Sequence, residues 1–349
     1  MNTTITQDIA TDIIAGASIF STGGGFEYTA QLKKLPEIFA ADSTLRLISV
    51  DELADTDYIC TAYGVGSASN TDVDLSAALT KGFAVMQEIT GKTFAGIFAG
   101  ETNIEALVFE TAKSANLPII DADCTGGRAV PEIQFDNLFV AGRNILPLVA
   151  VTLKGDVAVL YETDDPVFIE RFVRNIAVST GESVAVIDHP MSVADAKQYL
   201  TLGIFERSRQ MGAIINNAAI TVDAKIAKII KQTQASVLLQ GLVSEIDLSS
   251  EKGFLEGTIT VADGDQNAVL HVKNETLVCT IDSTVRLTAP DLITVLDLET
   301  GFGVHNSKIA VGQQVCIIGI SASKLWRTDA GVKRFNPQAV GLAFETVLL

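Results

Sequence analysis

The sequence is poor in the residues that would tie it to a disulfide, a thiolate metal site or a polyanion. Its 349 residues include four cysteines, three histidines and one tryptophan. Cys60, Cys124, Cys279 and Cys316 lie far apart and form no Cys-x-x-Cys pair, which argues against a structural disulfide and against a cysteine-built zinc site. Three of them sit in apolar strand-like runs, where a small buried thiol is common; only Cys124 falls in a loop. His189, His271 and His305 are scattered and form no His-x-His pair, so each reads first as structural. Lys and Arg number 25 against 42 Asp and Glu, a net charge of −17. With no basic arm or stripe to neutralise phosphates, nucleic acid is not an expected partner; the acidity serves solubility. No apolar run approaches the roughly 18 residues a membrane helix needs. Residues 1–8 lack the basic-then-apolar opening of a secretory signal, so a cytoplasmic protein is the expectation.

What is present is abundant apolar material, 48% of the chain, in short β-branched runs. The length suits two domains better than one. Residues 5–20 and 27–40 carry helical spacing, with Ile9, Ile13, Ile14 and Ala17 on one face and Ser21-Thr22-Gly23-Gly24-Gly25 breaking the pattern between them. Strands at 45–50 and 58–63, a helix at 72–89, a strand at 93–99, a helix at 103–116 and a strand at 117–120 follow, each strand apolar on both faces as in buried parallel sheets. Segments 146–153 and 156–161 read as a hairpin about Lys154-Gly155, and helices are predicted at 166–179, 193–211 and 222–232. After about 235 the pattern becomes short strands separated by turns, at 236–248, 253–261, 268–273, 276–281, 292–298 and 314–321, with no convincing helix. The prediction is an α/β layered domain with a mostly parallel sheet over 1–235, of which 150–235 is a connecting or nested segment, then an all-β barrel-like domain over 236–349.

Three loops carry candidate chemistry. Gly23, Gly24 and Gly25 lead into a helix, where bare backbone N–H groups approach a ligand closely and favour an anion; the competing reading is a tight helix–helix turn. This is no dinucleotide fingerprint, because a helix precedes it and the Gly-x-Gly-x-x-Gly spacing is absent. Gly100-Glu101-Thr102-Asn103 ends one strand, and Asp121-Ala122-Asp123-Cys124-Thr125-Gly126-Gly127-Arg128-Ala129-Val130-Pro131-Glu132 ends another. Ligands of open parallel sheets bind beyond the carboxyl ends of strands. Two aspartates, a glutamate and an arginine there supply a base, an acid and an anion clamp; alternatively Asp123 caps a turn and Arg128 makes a structural ion pair.

At these loops the chain resembles the S-methyl-thiohydantoin desulfurase-like proteins, which occur beside or fused to hydantoinase/oxoprolinase-type enzymes. The match runs through Gly16-Ala17, Gly23-Gly24-Gly25, Glu101 and Asn103, then Asp121, Asp123, Gly127, Arg128, Ala129, Pro131 and Glu132. It continues in order through Asn274-Glu275, Pro290-Asp291 and Trp326-Arg327. The resemblance implies an α/β domain followed by a β-barrel-like one. It also implies a hydrolase-type enzyme acting on a hydantoin-like or S-methyl-thiohydantoin-like cyclic amide. Asp121 or Asp123 is then the expected base, Glu101 the proton donor or orienter and Arg128 the holder of developing charge. Gly23, Gly24, Gly25, Thr102, Asn103 and Gly127 are then expected to contact the substrate. The alternatives are a non-catalytic binding or accessory subunit of a hydantoinase/oxoprolinase-type enzyme, and covalent catalysis by Cys124 with an activating base. No organic cofactor is expected. The carboxylates admit Mg²⁺ or Mn²⁺ through oxygen ligands, whereas a motif without histidine does not point to zinc. A mean hydropathy of +0.33 predicts apolar surface covered in a homo-oligomer. Strand polarity finally predicts that Glu101, Asn103, Asp121, Asp123 and Arg128 gather at one edge of the sheet, with the triple glycine in the wall.

Overall fold

The computed structural model describes residues 2–40, 43–66, 73–251 and 253–349. Its first part runs β1 (Asn2–Ile5), α1 (Gln7–Phe20), α2 (Tyr28–Ile38), β2 (Leu45–Ile48), β3 (Tyr58–Val65), α3 (Ser76–Thr90), β4 (Phe94–Ala99), α4 (Glu105–Ala115), β5 (Ile119–Asp123) and α5 (Asn137–Val140). It continues through β6 (Leu148–Val151), β7 (Val157–Leu160), α6 (Pro166–Thr180), β8 (Val184–Ser192), α7 (Val193–Tyr199), β9 (Thr201–Leu202), α8 (Ile204–Ile215) and α9 (Val222–Thr233). The strands form one sheet in the order β1-β2-β5-β4-β3-β8-β6-β7, with β9 beside β5. Its centre, β2-β5-β4-β3, is parallel; antiparallel strands extend it on both sides.

Side chains alternate between the two faces of the sheet, as the pleat requires. On β8, Ala185 and Ile187 join the core beneath α1–α4, while Val184 and Val186 join the core beneath α5–α7. The result is a three-layer α/β/α unit. The second part is a curled antiparallel sheet of β10 (Ser236–Glu251), β11 (Phe254–Asp263), β12 (Gln266–Lys273), β13 (Glu275–Ile281), β14 (Thr284–Thr288), β15 (Leu292–Asp297) and β16 (Gln314–Ile320), ordered β14-β13-β12-β11-β10-β16-β15. A third core, from Ile19 and Phe20 of α1 to Ile318, Trp326 and Phe335, joins the two parts. Among the described residues no helix is long and apolar enough to cross a membrane.

The layered α/β part and the barrel-like β part match the sequence expectation, and four details differ. The expected helix at 193–211 is two helices: α7 ends at Tyr199 with Leu200 extended, Thr201 and Leu202 pair with β5, and α8 starts after Gly203, which takes φ +81°. Strand β8 carries Asp188, His189 and Pro190 inside an apolar segment, which hides its alternation. A six-residue helix, α10 (Asp329–Arg334), stands in the part expected to have none. The Thr328 hydroxyl caps it by accepting from the Gly331 N–H at 3.1 Å, but six residues are too few to show a helical period. The helix expected at 72–89 begins at Ser76, and residue 72 lies outside the described residues.

Helices α1 and α8 touch backbone to backbone. A Cβ on Gly16 would overlap the Ser208 carbonyl, and one on Gly212 would overlap the Asp12 carbonyl. This contact fixes the start of the glycine loop that follows α1. Gly16→Ala is expected to push the helices apart and cost about 1–3 kcal/mol, measured as a lower urea midpoint. Gly142→Ala, at φ +70° with nothing within 4 Å of the added carbon, is the comparison and costs only roughly 1–2 kcal/mol of backbone strain.

Candidate functional site

Strands β3, β4 and β5 run parallel in adjacent places, with Ala62 opposite Ala99 and Ala99 opposite Asp123. Their carboxyl ends therefore open at one edge, the position expected for a ligand in such a sheet. A cleft lies there with about 830 Å³ of empty space, its open mouth included. The first part contributes Gly25, Tyr63, Glu101, Cys124, Asp136 and His189 to its lining; the second part contributes Asn274 and Glu275 from the start of β13. The joint between the parts is held by hydrogen bonds from Thr276 N–H to the Thr22 carbonyl at 2.8 Å and from Trp326 Nε1 to the Thr125 carbonyl at 2.9 Å.

Of the four residues expected to do chemistry, Glu101 lines the cleft. Its Oε2 accepts from the Val130 N–H at 2.8 Å. Burial pushes its carboxyl up to about 8 against that hydrogen bond, with the charges of Asp123 and Glu105 adding to the rise. Asp123 is fully buried behind the cleft. Its oxygens accept from the Gly127 N–H at 3.0 and 2.8 Å and from the Thr125 hydroxyl at 3.2 Å, folding the motif loop back on itself. Burial raises it to about 7, opposed by these donors and by Arg207. Asp121 faces α8, accepts from the Phe205 N–H at 2.7 Å and is raised by burial to about 6. Neither aspartate is in the cleft lining, because both are spent on backbone N–H groups.

Arg128 is also fully buried and outside the lining. Its guanidinium donates to the carbonyls of Ala129 at 3.0 Å, of Pro290 and of Asp291 at 3.3 Å, and reaches the Thr22 hydroxyl at 3.5 Å. It lies 4.7 Å over the Phe335 ring. Arg128, expected as an anion clamp, thus spans from the motif loop to Pro290 and Asp291 of the second part. Asn103, at φ +74°, donates to the carbonyls of Gly24 at 2.8 Å and Phe26 at 2.9 Å and accepts from Gln31, so it shapes the glycine loop. Gly25 reaches the cleft; Gly24 packs against the Glu275 carboxyl and Gly23 against Asn306. Gly127 lies under Arg207, which donates to its carbonyl at 2.6 Å. Thr102 is buried, and its hydroxyl is without a partner among the described residues.

The floor of the cleft is built from residues the sequence did not single out together. His189, at φ +53° on β8, places Nδ1 2.6 Å from Asp188 Oδ1 and Nε2 3.0 Å from Asp136 Oδ2. Asp188 accepts in turn from the Tyr63 hydroxyl at 2.5 Å. Burial works against a charged imidazole here, but the Asp188 and Asp136 charges and hydrogen bonds outweigh it and raise it to about 10. Cys124 donates to the Gly100 carbonyl at 3.0 Å. Burial, then the nearby carboxylates of Asp136, Asp188 and Asp123, push its thiol well above the ordinary range. Such a thiol is a poor nucleophile, which removes the support for covalent catalysis by Cys124 as the protein stands. The signal for this floor was the Asp188-His189 pair inside an apolar run; its partners are 53 or more positions away, so only the fold assembles them.

Glu275 is 2% exposed and lines the cleft. Its Oε2 has no hydrogen-bond partner among the described residues. Burial, with the charge of Glu101 adding to it, raises its carboxyl well above the usual range against the pull of Arg128. The cleft thus holds two carboxyl groups whose hold on a proton is strengthened by burial and by each other's charge; in its protonated form such a group donates as well as accepts.

Comparison with known proteins agrees with this architecture. A protein from Chromobacterium violaceum, known from its crystal structure, superposes with a TM-score of 0.85 over 99% of each chain at 18% identity, a likeness of fold. No curated protein matches the chain. Residues 8–162 match the S-Me-THD-like N-terminal domain and residues 163–349 the S-Me-THD-like C-terminal domain. The chain belongs to the S-Me-THD-like family.

Proposed function

We propose that the cleft binds a hydantoin-like or S-methyl-thiohydantoin-like cyclic amide and hydrolyses it. The observation that carries this reading is the partnerless Oε2 of Glu275, buried beside Glu101. A buried polar atom left without a partner costs about 1–3 kcal/mol, and a ligand edge is the means of recovering it. A neutral carboxyl offers one donor and one acceptor side by side, the complement of the N–H and C=O edge of a cyclic amide. A pair of ionised carboxylates would repel that carbonyl. Family membership supports the substrate class.

In the desulfurising reaction, water forms a bond from its oxygen to the ring carbon bearing the S-methyl group, and the carbon–sulfur bond breaks. One water proton ends on sulfur, giving methanethiol, and the other on the ring nitrogen, leaving the carbonyl of the hydantoin. Glu101 is the donor to the departing sulfur, and Glu275 holds the amide edge. The attacking water is held at the floor beside Asp136. Asp121 and Asp123 have no step, and Arg128 acts through the domain joint.

The test is incubation with a panel of S-methyl thiohydantoins and hydantoins, following thiol release and ring products. Turnover is expected, with Glu101→Gln lowering kcat/KM on the order of 10²-fold or more while thermal stability is retained. No turnover across the panel would sink the hydrolase reading.

A further inference from the structure

From the floor of the cleft we infer a zinc site built by Cys124, Asp136 and His189. The inference rests on the arrangement of these side chains and stands apart from the thiohydantoin reading. One ligand atom of each, the thiol sulfur, a carboxylate oxygen and a ring nitrogen, lies within 4.8 Å of the others. All three residues are buried, and all three line the cleft. Zinc bonds of about 2.0–2.3 Å in a tetrahedron set ligand atoms roughly 3.3–3.8 Å apart, so closing around the ion shortens the separations by at most about 1.5 Å.

The outer groups are those such a site requires. Metal-bound imidazoles almost always give their second ring N–H to a carboxylate, which fixes tautomer and ring orientation. Here Nε2 points toward Asp136 and the metal position, while Nδ1 meets Asp188 at 2.6 Å; Asp188 is itself anchored by Tyr63 at 2.5 Å. The Phe98 and His189 rings pack at right angles, 5.8 Å between centroids. Each ligand comes from a separate element: Cys124 directly follows β5, Asp136 caps α5 by accepting from the Leu138 N–H at 2.7 Å, and His189 stands on β8. His189 holds a positive φ of 53° within β8.

The donor set selects the ion. A thiolate with an imidazole and one carboxylate suits zinc, whereas magnesium and calcium take oxygen ligands. Three protein ligands leave a fourth position open, the mark of catalytic rather than structural zinc, and all three line the same cleft as Glu101 and Glu275. The sequence argued against zinc because no histidine lies in the motif loops; the fold supplies one from β8.

The experiment uses the full chain, stripped with a chelator and dialysed, then titrated with ZnCl₂ against a competing colour indicator. One zinc per chain is expected at micromolar or tighter affinity. Cys124→Ser and Asp136→Asn are each expected to weaken it by roughly 10²-fold or more, and Asp188→Asn, which removes only the outer partner, by about 10–100-fold. Cys316→Ser is expected to leave binding unchanged. Cobalt loading of the unaltered chain gives a readout that does not depend on variants folding. A thiolate-to-cobalt charge-transfer band with intense tetrahedral d–d absorption is expected, and it disappears in Cys124→Ser. Absence of stoichiometric zinc uptake, or a cobalt spectrum without the thiolate band, overturns the site. Both measurements are made without substrate, so their failure is separate from failure of the hydrolysis assay.

Discussion

Arg128→Met is expected to destabilise the protein by about 3–5 kcal/mol, the largest effect of any single substitution at the motif loops. The side chain is fully buried and meets three carbonyl groups, two of them, at Pro290 and Asp291, across the joint between the parts. Burial lowers the guanidinium to about 10, opposed by the Glu275, Asp291 and Glu101 charges, so it remains a cation at neutral pH. Methionine keeps the packing on Phe335 and leaves the carbonyls without their donors. Arg128→Lys recovers little, because one ammonium on a flexible stem cannot serve the same fork of acceptors. Urea unfolding checks this. A variant within 1 kcal/mol of the parent that has lost activity would instead make Arg128 a ligand clamp.

This bears on how far the sequence could be read. Segments 93–99 and 117–120 announced parallel strands by being apolar on both faces, and the single helix between them fixed their polarity. The edge of the sheet where the cleft lies was therefore legible. The identity of the groups facing it was not. The Asp121 to Glu132 segment looks chemical because it is dense in charge, yet Asp121, Asp123 and Arg128 are consumed by backbone N–H and carbonyl groups. A loop buried against a second part of the chain has many backbone groups to satisfy, and charged side chains satisfy them strongly. Asp136 and His189 looked ordinary for the opposite reason, and Cys124 stood out only as a candidate nucleophile, not as one of a group with them. Each stands alone in its own stretch, and contact across 65 positions leaves no periodic trace. Glu275 sits at the start of β13, where a sequence reading sees a hairpin turn; its role depends on the second part closing over the first.

Raising the pH from 5 to 9 is expected to destabilise the protein, and Glu105→Gln is expected to remove a large part of that loss. Glu105 is fully buried at the start of α4; its Oε1 accepts from the Asn103 N–H at 2.9 Å and its Oε2 has no partner among the described residues. Burial lifts the carboxyl from 4.5 to about 8, with the Asn103 N–H opposing and Asp123 adding. Because the folded value lies above the unfolded one, the folded chain holds this proton after the unfolded chain has released it. Stability is then greatest below pH 4.5 and falls as pH rises, the loss being complete just above 8. The gap of roughly 3.5 pH units corresponds to at most about 5 kcal/mol. Glu101, raised to about 8, and Asp123, raised to about 7, push in the same direction over overlapping windows, so the parent loses more than Glu105 alone can explain. Glutamine keeps the acceptor for Asn103 and cannot ionise, while its amide N–H₂ replaces the unpaired oxygen at a cost of about 1–3 kcal/mol. The variant should therefore be the less stable protein at pH 5 and the more stable one at pH 9. Unfolding free energies from urea titrations at single pH steps locate the crossing. Two curves that stay parallel from pH 5 to 9 would mean that Glu105 ionises in the folded chain as readily as in the unfolded one.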